Sequence, residues 1–369
     1  MAALDYITIE GFKSIGRIEK LELARTNILI GSNGSGKSNF IGAFSFLHAI
    51  REGRLQRYVA EAGGAERLLH FGSRSTDQVR LEIGLRTVNR YRYEVTLIPT
   101  DIDELVSFSE SVWYYAEPAD TWTSRHLSHN GKKAGISRTP LDEPMSRHVW
   151  DLLSKWRVYH FHDTSSTSPM KKDGEINDNR FFRSDAANLA PYLFFLADKH
   201  PEEYGLIRRV VQRVTPFFDD FKLTPLLLNE EKIRLEWRHA DSDAYFDASS
   251  LSDGTLRFIA LATLLIQPVQ LRPSVILIDE PELGLHPFAI TMLASLINQA
   301  ATHTQVIVST QSPMLLDHFQ PEDVLVTERN GGGTVIRRLE SGPLQKWLDE
   351  YSLGQLWEKN ELGGRPKAS

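Results

Sequence analysis

Near the N-terminus apolar and polar positions alternate. The pattern predicts strands at Tyr6 to Ile9, Ile18 to Leu23 and Asn27 to Ile30, with a turn at Gly11-Phe12-Lys13-Ser14. After a glycine-rich stretch, Phe40, Ala43, Phe44 and Leu47 recur at helical spacing and predict an amphipathic helix. Val79, Leu81, Ile83 and Leu85 then interleave with Arg80, Glu82 and Gly84, and Tyr91, Tyr93, Val95 and Leu97 repeat the alternation. These runs predict an antiparallel pair, with a third strand at Val112 to Ala116. The polar stretch from Pro118 to Pro144 reads as loop.

Val158 to Phe161 predicts a buried strand, and Thr164-Ser165-Ser166-Thr167-Ser168-Pro169 a turn. Pro191 and Pro201 suit the first turns of two helices, the second carrying Ile207, Val210, Val211 and Val214 on one face. Arg208, Arg209 and Arg213 lie elsewhere on it, either as a solvated face or as a contact for DNA or a partner. Leu223 to Leu228 and Ile233 to Trp237 predict a hairpin across Asn229-Glu230-Glu231-Lys232. Val275 to Ile278 and Val306 to Val308 are apolar strands. Val324 to Val326 and Thr334 to Arg338 predict a last hairpin across Asn330-Gly331-Gly332-Gly333. No internal repeat and no heptad run long enough for a coiled-coil arm is present.

With 369 residues, 41% hydrophobic and 24% charged, the chain can bury a large core. A net charge of -6 gives no general electrostatic drive toward nucleic acid, although a local basic groove stays open. The absence of cysteine excludes disulfides, thiolate metal sites and cysteine nucleophiles, and points to the cytoplasm. The N-terminus lacks a basic segment followed by an apolar core, and no apolar run reaches membrane-spanning length.

The glycine-rich stretch Gly31-Ser32-Asn33-Gly34-Ser35-Gly36-Lys37-Ser38 is a complete phosphate-binding loop between a strand and a helix. Its glycines let backbone N–H groups turn toward phosphates, Lys37 reaches the β- and γ-phosphates, and Ser38 offers a hydroxyl to Mg²⁺. Val275 to Ile278 deliver Asp279 and Glu280 to a strand end. There Asp279 would hold the Mg²⁺ shell, while Glu280 would orient or deprotonate the attacking water. Ser252, in Leu251-Ser252-Asp253-Gly254-Thr255, begins a helix. It either caps that helix or presents hydroxyl, N–H and helix dipole to a γ-phosphate of another subunit.

These motifs, with Gly11 to Ser14 and the run Asp279-Glu280-Pro281-Glu282-Leu283-Gly284-Leu285-His286-Pro287, resemble the ABC-type ATPases of the RecF, SMC and OLD group over nearly the whole chain. The closing run Tyr351 to Glu358, with Leu362-Gly363-Gly364-Arg365-Pro366, is similar to compact stand-alone AAA-family, OLD-like ATPases. The resemblance implies an α/β head with a mixed central sheet, and an antiparallel β subdomain and a helical subdomain inserted between Walker A and the signature. The single head would span 1–369: a phosphate-loop lobe with the β subdomain (1–160), an inserted helical region (161–220), a signature, Walker B, D-loop and switch lobe (221–345) and a tail (346–369).

It also implies that two heads sandwich ATP and Mg²⁺, with Ser252 and Gly254 acting in trans on nucleotide held by Gly31 to Ser38, Asn39, Lys13 and Ser14. Pro281 to Pro287 would be the D-loop, with His286 at the seam or an ordinary loop histidine. Gln311 stands where the family's switch motif usually has histidine, as a γ-phosphate sensor or part of a turn. The Q-loop falls near Phe161 to Ser165, where His162 or Asp163 would contact Mg²⁺ or simply be solvated. The chain has no room for the nuclease domain of some relatives. The resemblance therefore implies a homodimeric ATPase switch acting on a separate effector in bacterial anti-phage defence. Alternatives are a RecF-like DNA-repair ATPase, a transporter nucleotide-binding subunit and a non-hydrolysing ATP sensor.

Overall fold

The computed structural model describes residues 3–116, 120–127, 131–138 and 143–364. The chain divides into two compact units, one formed by 1–158, 274–277 and 320–369, the other by 159–273 and 278–319.

In the first unit, β1 (Ala3–Phe12) and β2 (Ile15–Glu22) form a hairpin in which Phe12 faces Ile15. Next come β3 (Thr26–Ile30), α1 (Lys37–Arg51), α2 (Leu55–Glu61) and α3 (Ala65–Leu68). Burial of α1 extends beyond the expected stripe: Ile41, Phe46 and Ile50 are buried with Phe40, Ala43, Phe44 and Leu47. Phe46 stacks on Phe12 at 5.4 Å between ring centroids.

The strands β4 (Val79–Arg86), β5 (Arg90–Pro99), β6 (Leu105–Ala116) and β7 (Thr121–His126) complete an antiparallel sheet in the order β2-β1-β4-β5-β6-β7. Most of the segment expected as loop between Pro118 and Pro144 is thus structured where described, with β7 and a helical turn at Gly135–Ser137. Every residue of β7 is exposed, so it has no burial alternation to read; its backbone pairing to β6 defines it. Buried Glu110 of β6 accepts hydrogen bonds from Tyr93 Oη of β5 (2.9 Å), from the Ile136 N–H (2.9 Å) and from the Gly135 N–H. α4 (Pro144–Ser154) and β8 (Trp156–Tyr159) follow; β8 begins and ends two residues before the predicted strand.

The second unit contains β9 (Gly174–Glu175), α5 (Leu189–Lys199), α6 (Pro201–Val214), β10 (Phe218–Lys222), β11 (Pro225–Leu226), β12 (Asn229–Ile233), β13 (Glu236–His239) and β14 (Tyr245–Asp247). The hairpin predicted from Leu223 to Trp237 is not the one formed. β10 pairs with β13, placing Phe221 opposite Trp237, and β11 and β12 form a separate small sheet with β9. The reason is burial. Phe218 and Phe221 pack 4.6 Å apart beneath Trp237, whereas Leu227 and Leu228 stand fully exposed at the tip. On α6, Arg208 pairs with Asp220 of β10 at 2.9 Å, while Arg209 and Arg213 face solvent.

α7 (Asp253–Ile266), the end of β15 (Val275–Asp279), α8 (Pro287–Ala301), β16 (Gln305–Ser309) and α9 (Pro313–Leu316) complete this unit. The chain then returns to the first unit with β17 (Val324–Asn330), β18 (Gly333–Arg338), α10 (Ser341–Leu348) and α11 (Leu353–Glu358). β17 runs parallel to β3 and antiparallel to β18. No helix among the described residues is long and apolar enough to cross a membrane.

Replacing Tyr93 by Phe removes one donor from buried Glu110 and should lower the unfolding free energy by about 1–3 kcal/mol. A denaturation midpoint unchanged from the parent would show that the carboxylate is satisfied without the tyrosine hydroxyl.

Candidate functional site

In the first unit, fully buried β3 runs directly into Gly31. The loop closes onto α1 at Gly36, whose φ of +112° lies in the left-handed region. A Cβ there would approach Thr334 Oγ1 to 2.1 Å, so both conformation and space require glycine. Gly36 has no side chain to cap α1, and no acidic residue occupies the helix's first turn. The start of α1 therefore carries neither a capping side chain at Gly36 nor a competing carboxylate in its first turn, the arrangement that receives a phosphate.

Lys37 is buried, and its Nζ donates to the carbonyl oxygens of Gly31 (2.7 Å) and Ser32 (3.2 Å). Ser38, one residue on, is exposed. Ser35 is buried with an Oγ that has no hydrogen-bond partner. Asn33 and Gly34 form the exposed rim of the loop.

Ser14 and Asn39 brace this loop. Asn39 Nδ2 donates to Ser14 Oγ (2.7 Å), Ser14 Oγ shares a hydrogen bond with Thr334 Oγ1 (2.7 Å), and Thr334 Oγ1 donates to the Ser35 carbonyl (2.9 Å). Lys13 has a φ of +51°; its N–H donates to the Leu68 carbonyl, and its ammonium lies 5.5 Å from the Phe12 ring centroid. Burial lowers the Lys13 pKa. A further contact was not legible from the loop motif: the Ser32 N–H donates to the Gly364 carbonyl at 2.6 Å. Glu328 Oε1 accepts from the Gly364 N–H (2.7 Å) and Arg337 donates to the Leu362 carbonyl (2.6 Å), holding the tail in place.

In the second unit, Asp279 ends β15 and Glu280 follows with a φ of +43°. The Glu280 N–H donates to the Ser309 carbonyl at 2.9 Å, and Ser309 Oγ donates to Asp279 Oδ1. Gln311 Nε2 donates to Glu280 Oε1, so the two residues assigned to catalysis lie in direct contact. Behind them, buried Glu282 accepts from Thr310 Oγ1 (2.7 Å) and from the Gln311 N–H (3.0 Å). Its burial raises the carboxyl pKa, an effect opposed by those two hydrogen bonds.

His162 Nε2 lies 3.0 Å from the Asp279 carbonyl oxygen. Asp163 turns away, its carboxylate accepting from Ser165 N (3.1 Å) and Oγ (2.7 Å). A residue not singled out from the sequence, His160, joins His162 and Asp279: one ligand atom from each lies within 4.8 Å of the others. Burial lowers the His160 pKa while Asp279 raises it.

Ser252 caps α7, its Oγ accepting from the Thr255 N–H at 3.1 Å. Gly254 is required by close approach, because a Cβ there would meet the Gly284 carbonyl oxygen at 2.2 Å. His286 likewise caps α8, with Nδ1 3.4 Å from the Phe288 N–H. Arg257, also unsuspected from sequence, joins these parts. Its guanidinium donates to the carbonyls of Phe161 (2.8 Å), His162 (3.2 Å) and Leu283. The only sequence signal for it was a basic residue within a mostly apolar helix.

Solved structures share the fold, two Smc heads among them. The chain has a TM-score of 0.56 and 16% identity with an Smc head bound to the C-terminal winged-helix domain of ScpA, covering 93% of this chain and 99% of that one. It has a TM-score of 0.55 and 14% identity with an Smc head carrying an extended coiled coil, bound to a ScpA C-terminal domain derived from Pyrococcus furiosus, covering 95% and 99%. No curated protein matches the sequence. Residues 26–317 match the family described as "AAA domain, putative AbiEii toxin, Type IV TA system". The phosphate loop, the acidic strand end and this match place the chain in that AAA-domain family of P-loop ATPases, on the fold of an SMC head.

Proposed function

We propose that the chain hydrolyses ATP between two copies of itself and uses the joined and separated states to control a separate effector protein. The observation that carries this reading is the uncapped N-terminus of α1 beside buried Lys37. The first-turn N–H groups and the lysine bind the phosphates, and Lys37 exchanges the Gly31 and Ser32 carbonyls for phosphate oxygens. Ser38 and Asp279 supply oxygen donors of the kind Mg²⁺ prefers. An ion held there would supply positive charge to offset that of the phosphates. Glu280 takes the proton of the attacking water, and Gln311 orients that carboxylate through its side-chain amide.

Ser252 and Gly254 act on nucleotide bound by the other copy. Ser252 is exposed at the start of α7, and Leu283 and Phe288 offer exposed apolar surface on either side of His286. These features suit a self-complementary seam. Joining the copies around ATP selects one state, and hydrolysis releases it. The family description, which names a toxin of a type IV toxin–antitoxin system, supports a role in bacterial defence with an effector as the controlled partner.

Lys37→Ala should weaken ATP binding by roughly 10- to 100-fold, the loss of about 1.5–3 kcal/mol of charge-assisted hydrogen bonding, measured by titration calorimetry. Glu280→Gln should leave that affinity unchanged, lower kcat by about 10²–10⁴-fold and accumulate an ATP-bound dimer in light scattering. A monomeric variant with parental turnover would remove Glu280 from the chemistry. Ser252→Arg alone should bind ATP and not turn it over. Mixed with Lys37→Ala, it should regain partial turnover because one of the two shared sites is then intact; an inactive mixture contradicts action in trans.

A further inference from the structure

The segment after β8 alternates between inside and outside. Tyr159 and Phe161 are buried, packed on each other and on Phe182, with Phe161 and Phe182 ring centroids 6.0 Å apart. Extended backbone sends alternate side chains to opposite faces, so anchoring Phe161 inward turns His160 and His162 outward together. Their ring centroids lie 6.2 Å apart, and the Asp279 carboxylate completes a set of two imidazoles and one carboxylate.

The backbone carrying this set is held at several points. The His160 N–H donates to the Ser184 carbonyl at 3.0 Å. Arg257 donates to the carbonyls of both Phe161 and His162. Ser309 Oγ donates to Asp279 Oδ1, the outer hydrogen bond that orients a ligating carboxylate. The donors are therefore brought together by contacts other than their own mutual attraction.

We propose that His160, His162 and Asp279 form a binding site for a divalent first-row transition-metal ion, with Mn²⁺ favoured over Mg²⁺. Imidazole nitrogen suits first-row transition ions such as Zn²⁺, Fe²⁺ and Ni²⁺, and Mn²⁺, which also accepts the carboxylate, tolerates a mixed nitrogen and oxygen shell better than Mg²⁺, which favours an all-oxygen shell and dehydrates reluctantly. Ion binding rests on the geometry of the second unit alone. Service of that ion to ATP rests on the function proposed above, through Asp279.

The test uses the full chain with Mn²⁺ alone, then with Mn²⁺ and a non-hydrolysable ATP analogue. Electron paramagnetic resonance follows bound Mn²⁺, and electron spin echo modulation detects directly coordinated ¹⁴N. The parent should show nitrogen modulation and retain Mn²⁺ against a tenfold excess of Mg²⁺. His160→Ala combined with His162→Ala should abolish the modulation and weaken Mn²⁺ binding at least tenfold. If that double variant misfolds by circular dichroism, His160→Gln, at an exposed side chain, should still weaken Mn²⁺ binding severalfold. Absence of nitrogen modulation in the parent under both conditions overturns the site, as does a folded variant that binds Mn²⁺ like the parent. Nitrogen modulation without any binding of the analogue upholds the metal site and rejects the ATPase reading.

Discussion

A helix that begins on glycine has no side-chain cap at its start, and the phosphate loop is organised around that constraint. Gly36 supplies no cap to α1, while its left-handed backbone and lack of Cβ allow Thr334 to press against the turn. Thr334, Ser14 and Asn39 then fix the loop by hydrogen bonds to its backbone and to one another. These groups spend their polarity on the loop's shape and leave the helix N-terminus to an anion. The Gly364 carbonyl adds a brace from the far end of the chain at Ser32.

The second unit solves a different problem, that of holding several backbone turns beside a strand end. Glu280 occupies the left-handed region, which costs a residue other than glycine about 1–3 kcal/mol and persists only where its surroundings impose it. The Ser309 carbonyl and the Gln311 amide supply that constraint and aim the carboxylate. Arg257 performs the corresponding task for the histidine segment and for the loop at Leu283. One buried guanidinium offers several donors in a rigid plane and can satisfy three carbonyls from two separate segments.

Ser252 and Gly254 show how a local rule and the proposed ligand-binding role coincide. The serine satisfies the start of α7, and the glycine admits the Gly284 carbonyl at a distance no side chain would allow. Both residues have a sufficient structural reason in the single chain. Their proposed contact with a second copy adds a use for groups already placed by packing.

Periodicity and local motif made the main strands, α1, α7 and the phosphate loop legible, because those signals lie within a few consecutive residues. The strand at Thr121 to His126 carried no such signal, since it buries neither face. The pairing of β10 with β13 depended on where Phe218, Phe221 and Trp237 could be buried together. Sequence by itself thus determined the chemistry available: a phosphate loop, a strand ending in two acids and a serine-glycine helix start. Tertiary structure alone decided that His160 reaches Asp279, that Arg257 holds the Phe161 and His162 carbonyls and that Gly364 meets Ser32. Those contacts join residues far apart in the chain, and packing and backbone hydrogen-bond satisfaction select them after the local elements have formed.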